Sequence, residues 1–184
     1  MDWSTVKSMA IPEGNVIQIE TDGIVIWKLP ASYTNLVPLS TESDGTPYNG
    51  GLGYKNGYRV RSGGAEGEQS TCACTGFIPC KAGDTLRVYI PPVSGTRDLY
   101  YINVSNASKT NLGQLASNGI YGIFSGSGYT WSDIENDGDI WSFTIPTDIT
   151  SANDIAFIRV TIAFSQSAET TGEGLIVTVN EEIV

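Results

Sequence analysis

The chain has 184 residues, which is enough for one domain with a hydrophobic core. Its net charge is −10 and its 10 Lys and Arg residues are scattered, which excludes the basic stripe that nucleic-acid binding requires. No apolar run approaches the roughly 20 residues of a membrane-spanning helix, and the N-terminal residues lack the pattern of a secretory signal, so we expect no membrane insertion.

The first predicted element is a β-hairpin near the N-terminus. Two apolar runs in NVIQIETDGIVIWKL flank Thr21-Asp22-Gly23, and Asp-Gly is a strong hairpin signal. The segment LPASYT that follows is typical of a linker. Because an isolated hairpin is marginally stable in water, it is expected to dock on the main domain or on a neighbouring subunit. We predict a connector over residues 1–30 and a main domain over residues 31–184.

From about Asn35 onward, strand-like runs recur with turn signals between them. The runs are NLVPLS, YRVRS, STCACTGFIPC, TLRVYI, LYYINVS, GIYGIFS, DIWSFTIP, AFIRVTIAF and GLIVTVNEEI. In AFIRVTIAF the apolar residues alternate with Arg159 and Thr161, which is typical of a strand with one solvated side. Only TNLGQLASNG resembles a helix, although Gly113 within it disfavours that prediction. We predict an all-β fold, a two-sheet antiparallel sandwich of jelly-roll type preceded by the short hairpin.

The apolar positions of these runs predict the hydrophobic core. The core residues expected from the pattern are Leu86, Val88, Ile90, Phe143, Ile145, Ile158, Val160, Ile162, Leu175 and Val177. Replacing any one of them with Ala is expected to cost about 2–5 kcal/mol if the residue is fully buried.

The three cysteines, Cys72, Cys74 and Cys80, lie in the single segment STCACTGFIPCK. An odd number of cysteines favours free thiols in a reducing cytosol, used as small apolar side chains. Strand alternation places Cys72 and Cys74 on one face and Cys80 on the other. A metal site is disfavoured because the sequence has no histidine and no pair of CxxC motifs.

The stretch DGTPYNGGLGYKNGYRVRSGG combines many glycines with three tyrosines. It lacks the Gly-Lys-Ser/Thr ending of a Walker loop and the strand-to-helix context of a dinucleotide loop, so nucleotide-phosphate binding is not predicted. Glycine permits tight reversals, and tyrosine offers contact area with a hydroxyl group. Two interpretations are open for each ring, contact with a ligand or attachment of the loop to the sandwich. The predicted ligand-binding residues are Tyr48, Asn49, Tyr54, Tyr58, Arg59, Tyr129 and Trp131.

A second candidate site is the acidic stretch YTWSDIENDGDIWSF. Asp133, Glu135 and Asp137 have the spacing of the start of a calcium loop, but the twelfth position is Thr144 rather than a bidentate Glu. We predict a solvated acidic turn and no cofactor, with structural calcium at the three carboxylates as the alternative. Trp131 is interpreted as a hydrophobic plug or as a stacking platform for a sugar.

The residue inventory also restricts catalysis. Without histidine, a Ser-His-Asp or Cys-His arrangement is excluded. A glycosidase could use two carboxylates about 5–9.5 Å apart, yet the acidic residues cluster in turns rather than at inward strand positions. We therefore predict that the chain is not an enzyme, and a glycan-degrading enzyme is kept as an alternative.

Several of these segments together resemble a domain of phage and prophage tail proteins. The resemblance is to tail and minor structural proteins of phages of Gram-positive bacteria, and it rests on NLVPLSTESDGTPYNGGLGYKNGYRVRSGG, TGFIPCKAGDTLRVYI and the closing GLIVTVNEEI. The leading MAIPEGNVIQIETDGIVIWK is similar to the small unit that precedes such domains. Residues 97–170 match in rhythm only, and Cys80 stands where the pattern more often has an aliphatic residue.

The resemblance implies a setting and partners. It implies a carbohydrate-binding-module-like receptor-binding domain on the virion, at the phage tail, made in the bacterial cytoplasm. The expected partners are host cell-surface carbohydrate, other tail proteins and two further copies of the chain in a homotrimer. Recognition through the Gly/Tyr-rich loops would gain about 10²–10⁴ in avidity from repetition. A purely structural tail-assembly domain without a ligand is the first alternative.

Overall fold

Strands account for about half of the described residues. A computed structural model describes residues 19–21, 24–27, 33–92, 96–117, 134–148, 151–165 and 172–183. The strands in these ranges are β1 (Ile19–Thr21), β2 (Ile24–Trp27), β3 (Tyr54–Val60), β4 (Glu66–Thr75), β5 (Ile78–Pro79), β6 (Thr85–Tyr89), β7 (Arg97–Ser105), β8 (Asn111–Ser117), β9 (Glu135–Asp137), β10 (Ile140–Thr144), β11 (Phe157–Phe164) and β12 (Ile176–Val179). The helical segments within these ranges are two single 3₁₀ turns, Tyr48–Gly51 and Ala152–Asp154. Within the described ranges, no helix has the length and apolar character needed to cross a membrane.

Strands β3 to β12 form two antiparallel sheets. The larger sheet has the order β3-β4-β11-β7-β8, with β5 also paired to β11, and the smaller sheet has the order β12-β6-β10-β9. Their facing sides share one hydrophobic core, which confirms the predicted sandwich.

The chain crosses repeatedly between the two sheets. Strands β4, β7, β8 and β11 belong to the larger sheet, whereas β6, β10 and β12 belong to the smaller one. The run NLVPLS, predicted as a strand, forms a turn instead, but Leu36 donates a backbone hydrogen bond of 2.9 Å to Val177 and so borders β12. This interleaved order is that of a jelly roll.

The predicted N-terminal hairpin is present. β1 and β2 pair antiparallel, with Thr21 opposite Ile24. The division into residues 1–30 and 31–184 stays a prediction, and the predicted run GIYGIFS lies outside the described residues.

The core lies between the two sheets and matches the alternation of the sequence. All ten predicted core residues are buried: Leu86, Val88, Ile90, Phe143, Ile145, Ile158, Val160, Ile162, Leu175 and Val177. Leu99, Ile102 and Trp141 add to the same cluster. The inward positions of β6, β10 and β11 are therefore those that the period of two predicts.

The helix-like interpretation of TNLGQLASNG is wrong, because residues Asn111–Ser117 of this segment form strand β8. β8 pairs with β7, and two register shifts leave Leu112 and Leu115 without a partner in the ladder. Leu115 is fully buried, and Leu112 packs against the core. Two bulges thus bring residues three apart to the same side, and this spacing imitates a helix.

The expectation of a solvated outer face on β11 is also wrong. Arg159 and Thr161 point away from the core, but they are only 5% and 0% exposed. We call this side of the larger sheet the outer face. The chain that covers it contains the Gly/Tyr-rich stretch.

Candidate functional site

The β3–β4 hairpin breaks near its middle. Between the pairs Asn56–Ala73 and Tyr58–Glu68 the register shifts, so that β4 contributes extra residues. Gly57 lies at the break with φ of 75°. A bulge of this kind bends a strand away from its sheet, and here it separates a proximal half, paired in the sheet, from a distal half.

The distal half of the hairpin contacts the outer face. The amide of Val60 donates to Oγ1 of Thr161 over 3.1 Å. At the tip, Nδ2 of Asn103 donates to the carbonyl of Arg61 over 3.0 Å, and Nδ2 of Asn111 donates to that of Ser62 over 2.9 Å. Outward-pointing side chains of β11, β7 and β8 therefore bind hairpin backbone, which explains their burial.

Tyr48 lies inside the protein on this outer face. Its ring is 1% exposed, and its hydroxyl donates to Oε1 of Glu66 over 2.8 Å. The same carboxylate accepts from Nη2 of Arg159 over 2.5 Å and from Nζ of Lys55 over 3.1 Å. Of the two interpretations left open by the sequence, attachment of the loop is the one that this placement favours.

Burial and charge set the protonation of this cluster. Burial opposes the ionisation of Glu66, but hydrogen bonds from Arg159 and Tyr48 outweigh it and hold the pKa of Glu66 below its ordinary value. Burial also raises the pKa of Tyr48 above its usual range, and it raises the pKa of the neighbouring Cys74 thiol to about 11. The cluster is thus an ionised carboxylate held among neutral and cationic groups.

Asn49 and Tyr54 also hold the loop together. Asn49 has φ of 48°, and its side chain donates to the carbonyl of Tyr54 over 2.7 Å. The ring of Tyr54 is partly buried against the core and lies so close to Gly172 that a Cβ there would meet the ring at 2.0 Å. Both predicted site residues therefore have intramolecular partners.

Arg59 spans from the hairpin to β7. Its Nη1 donates to the hydroxyl of Tyr101 over 3.3 Å, and its guanidinium lies 5.9 Å from the centroid of that ring. Its Nε is buried and has no partner among the described residues. Arg59 is therefore held in place, and its Nε donor is unused.

Tyr58 is the predicted residue that borders an open groove. The groove has a volume of about 420 Å³ and is lined by Gly57, Tyr58, Glu68, Gln69 and Ser70. Nζ of Lys55 lies 3.7 Å from the centroid of the Tyr58 ring. The hydroxyl of Tyr58 donates to Oε1 of Glu68 over 3.4 Å. The site residues predicted from the sequence did not include Glu68, Gln69 and Ser70 of β4, because only the shifted register brings these residues beside Tyr58.

The other predicted ligand-binding residues, Tyr129 and Trp131, lie outside the described residues, as does Asp133. Glu135 and Asp137 lie in the exposed strand β9, which pairs with β10. Within the ranges given above, no group of three His, Cys, Asp or Glu side chains is arranged to hold a metal ion. The described part of the acidic stretch, residues 134–143, forms a hairpin turn at Gly138, where φ is 65°.

Comparison of the chain with protein-family models, with curated proteins and with solved structures finds no match.

Proposed function

We propose that this chain is a non-enzymatic receptor-binding domain of a phage tail and that it binds host cell-surface glycan in the Tyr58 groove. The observation that carries the proposal is the groove itself, with its aromatic ring, carboxylate, amide and hydroxyl. Its volume of about 420 Å³ lies within the range of small-ligand sites. The virion location, the homotrimer and the contacts with other tail proteins belong to the same proposal and rest on the sequence resemblance.

The groove has the chemistry that a sugar requires. The amphipathic ring of Tyr58 offers an apolar face, of which one side is covered by the ammonium group of Lys55 at 3.7 Å. A pyranose would pack on the other side of the ring. Glu68 accepts hydrogen bonds, and Gln69 and Ser70 both donate and accept them, so sugar hydroxyls find partners along one wall.

Two observations favour binding over hydrolysis. The sequence contains no histidine, which removes the usual general base of a nucleophilic triad. Among the described residues that line the groove, Glu68 is the single carboxylate, whereas glycoside hydrolysis uses two. The glycan-degrading alternative therefore has no support in this groove.

Replacement of Tyr58 tests the proposal. Tyr58→Ala should weaken binding to purified cell-wall polysaccharide of a Gram-positive host about tenfold or more, measured by calorimetric titration. Tyr89→Ala is the matched control, since Tyr89 is also half-buried but lies in β6 of the smaller sheet. Tyr48→Phe should leave binding unchanged, because the Tyr48 ring is buried. Equal loss in the Tyr58 and Tyr89 variants, or no binding by the parent chain, would contradict the proposal.

The alternative of a tail-assembly domain without a ligand is favoured by a separate observation. Leu39 and Leu52 are 61% and 56% exposed. Their segments are joined, since Oγ of Ser40 donates to the carbonyl of Gly53 over 2.9 Å. Exposed leucines are suited to subunit contacts. If Leu39→Ser with Leu52→Ser abolishes self-association while the parent chain binds no polysaccharide, the assembly function is the correct one.

A further inference from the structure

A second concave site lies under the tip of the β3–β4 hairpin. It is a cavity of about 140 Å³ between the hairpin tip and the outer face. The lining residues that matter chemically are Gly64, Phe77, Asn103, Ser105, Lys109 and Arg159. The cavity and the Tyr58 groove have no lining residue in common. It is smaller than typical sites for drug-sized ligands, and its size suits one small chemical group.

Arg159 lines this cavity, and some of its N–H donors have no partner among the described residues. The residue is 5% exposed. Its Nε donates to the carbonyl of Thr75 over 3.0 Å, and its Nη2 donates to Glu66 and Tyr48. A guanidinium has five N–H donors, and the two on Nη1 have no partner among the described residues. Nη1 is not among the described atoms that are both buried and unpaired, so it is accessible and can donate to a group that enters the cavity.

Ser105 and Lys109 add further donors on the same cavity. Ser105 is 3% exposed, and its hydroxyl has no hydrogen-bond partner in the described part of the chain. Lys109 donates from Nζ to Oγ1 of Thr41 over 2.9 Å and to the carbonyl of Glu42. An ammonium group has three donors, so one is left. Both side chains can therefore donate to a shared acceptor.

The charge in the cavity is opposite to that of the chain as a whole. The net charge of the protein is −10, but the charged residues on the cavity wall are Lys109 and Arg159, and no described carboxylate lines it. Glu66 compensates Arg159 on its Nη2 side. The ion pairs of the described residues do not include Lys109. A positive, partly enclosed cavity with unused donors is suited to an anion.

We propose that this cavity binds a small oxyanion, that is, a phosphate, sulfate or carboxylate group. Its oxygens accept hydrogen bonds from Nη1 of Arg159, from Nζ of Lys109 and from the hydroxyl of Ser105. The group is either a free ion or the terminal substituent of a larger molecule. This inference goes beyond the glycan proposal and does not depend on it, because the two sites have different walls.

Titration with simple anions tests the inference. The parent chain is titrated with inorganic phosphate, sulfate and acetate at constant ionic strength, and the backbone amide resonances of Gly63, Gly64 and Asn111 are followed by two-dimensional NMR. Saturable shifts at these residues are expected with at least one of the anions. Ser105→Ala and Lys109→Met should each weaken the binding about tenfold, since each removes one donor to the anion. Lys81→Met is the control, because Lys81 is exposed in the turn before β6.

The variants keep the test decisive even if one of them misfolds. Lys109 also attaches the segment at Thr41, so its replacement could loosen the loop. Ser105→Ala removes a hydroxyl that has no partner in the described residues, and it should fold like the parent. The inference is overturned if no anion gives saturable shifts, or if Ser105→Ala binds as well as the parent chain.

Comparing glucose 6-phosphate with inorganic phosphate distinguishes a substituent of a larger molecule from a free ion as the bound group. Glucose 6-phosphate that binds more tightly than inorganic phosphate identifies a substituent of a larger molecule, whereas equal or weaker binding identifies the free ion. Tyr58→Ala should leave these titrations unchanged. Failure of the glycan proposal and failure of the oxyanion site are therefore seen in different experiments.

Discussion

Arg159 of β11 donates a hydrogen bond from Nη2 to Oε1 of Glu66 in β4 over 2.5 Å, although 93 residues separate them in the chain. The Arg159 side chain is 6% exposed and that of Glu66 is 25% exposed. Because Glu66 also accepts from Tyr48 and Lys55, this one carboxylate joins the loop, the hairpin and the sheet.

Glu66→Gln is expected to destabilise the protein by about 2–3 kcal/mol. The substitution keeps the shape of the side chain but leaves the buried guanidinium of Arg159 without its counter-charge. Loss of one partner from a fully buried pair costs about 3–5 kcal/mol, and the partial exposure of Glu66 reduces this value. Urea unfolding followed by circular dichroism measures the difference.

Glu68→Gln is the matched control for that experiment. Glu68 lies two residues further along β4, is exposed, and accepts a long hydrogen bond of 3.4 Å from Tyr58. Its replacement should change the free energy of unfolding by less than about 0.5 kcal/mol. Equal effects of the two substitutions would contradict a special role of the Arg159–Glu66 pair.

The lowered pKa of Glu66 makes part of the stability dependent on pH. Since the folded pKa lies below the ordinary value of 4.5, the contribution is complete above that pH and is lost as the pH falls through the folded pKa. Glu66→Gln lacks this contribution. The difference in free energy of unfolding between the parent and Glu66→Gln should therefore shrink from about pH 6 to about pH 3. A difference that stays constant over this range in urea titrations would be inconsistent with the assignment.

Two glycines with nearly the same positive φ should respond differently to replacement by Ala. Gly53 and Gly57 have φ of 77° and 75°. A Cβ at Gly53 would lie 1.8 Å from the carbonyl oxygen of Val37, whereas nothing lies within 4 Å of one at Gly57. Gly57→Ala should cost only the left-handed strain of about 1–2 kcal/mol, and Gly53→Ala more than about 4 kcal/mol. Thermal unfolding of both variants tests this order.

The thiols should react slowly in the folded protein. Burial raises the pKa of Cys74 from 9.0 to about 11 and that of Cys80 from 9.0 to about 12. At pH 8 this lowers the thiolate fraction of Cys74 about a hundredfold, and the thiolate is the reactive form. Labelling with a disulfide reagent should therefore be at least about a hundredfold slower in buffer than in urea. Rapid labelling of Cys74 in buffer would show that the loop around Tyr48 opens readily.

Tyr48 and Tyr58 show where prediction from the sequence ends. Both lie in the same Gly/Tyr-rich stretch, and both allowed the same two interpretations. Tyr48 became buried on the outer face because Arg159 and Glu66 bind its hydroxyl there. Tyr58 borders a groove because the bulge at Gly57 turns the distal half of the hairpin. The difference comes from partners in β4 and β11, which no local pattern around either tyrosine contains.

The sequence by itself determined which side chains fill the space between the two sheets, because a strand that buries one face must alternate apolar and polar residues. Only the tertiary structure decided what covers the outer face and where concave surfaces remain. Those features depend on a shift of register between β3 and β4 and on contacts such as that of Val60 with Thr161, across 101 residues. The alternation of apolar and polar residues predicts which face of the strand a side chain is on, but it does not predict which distant segment packs against that face.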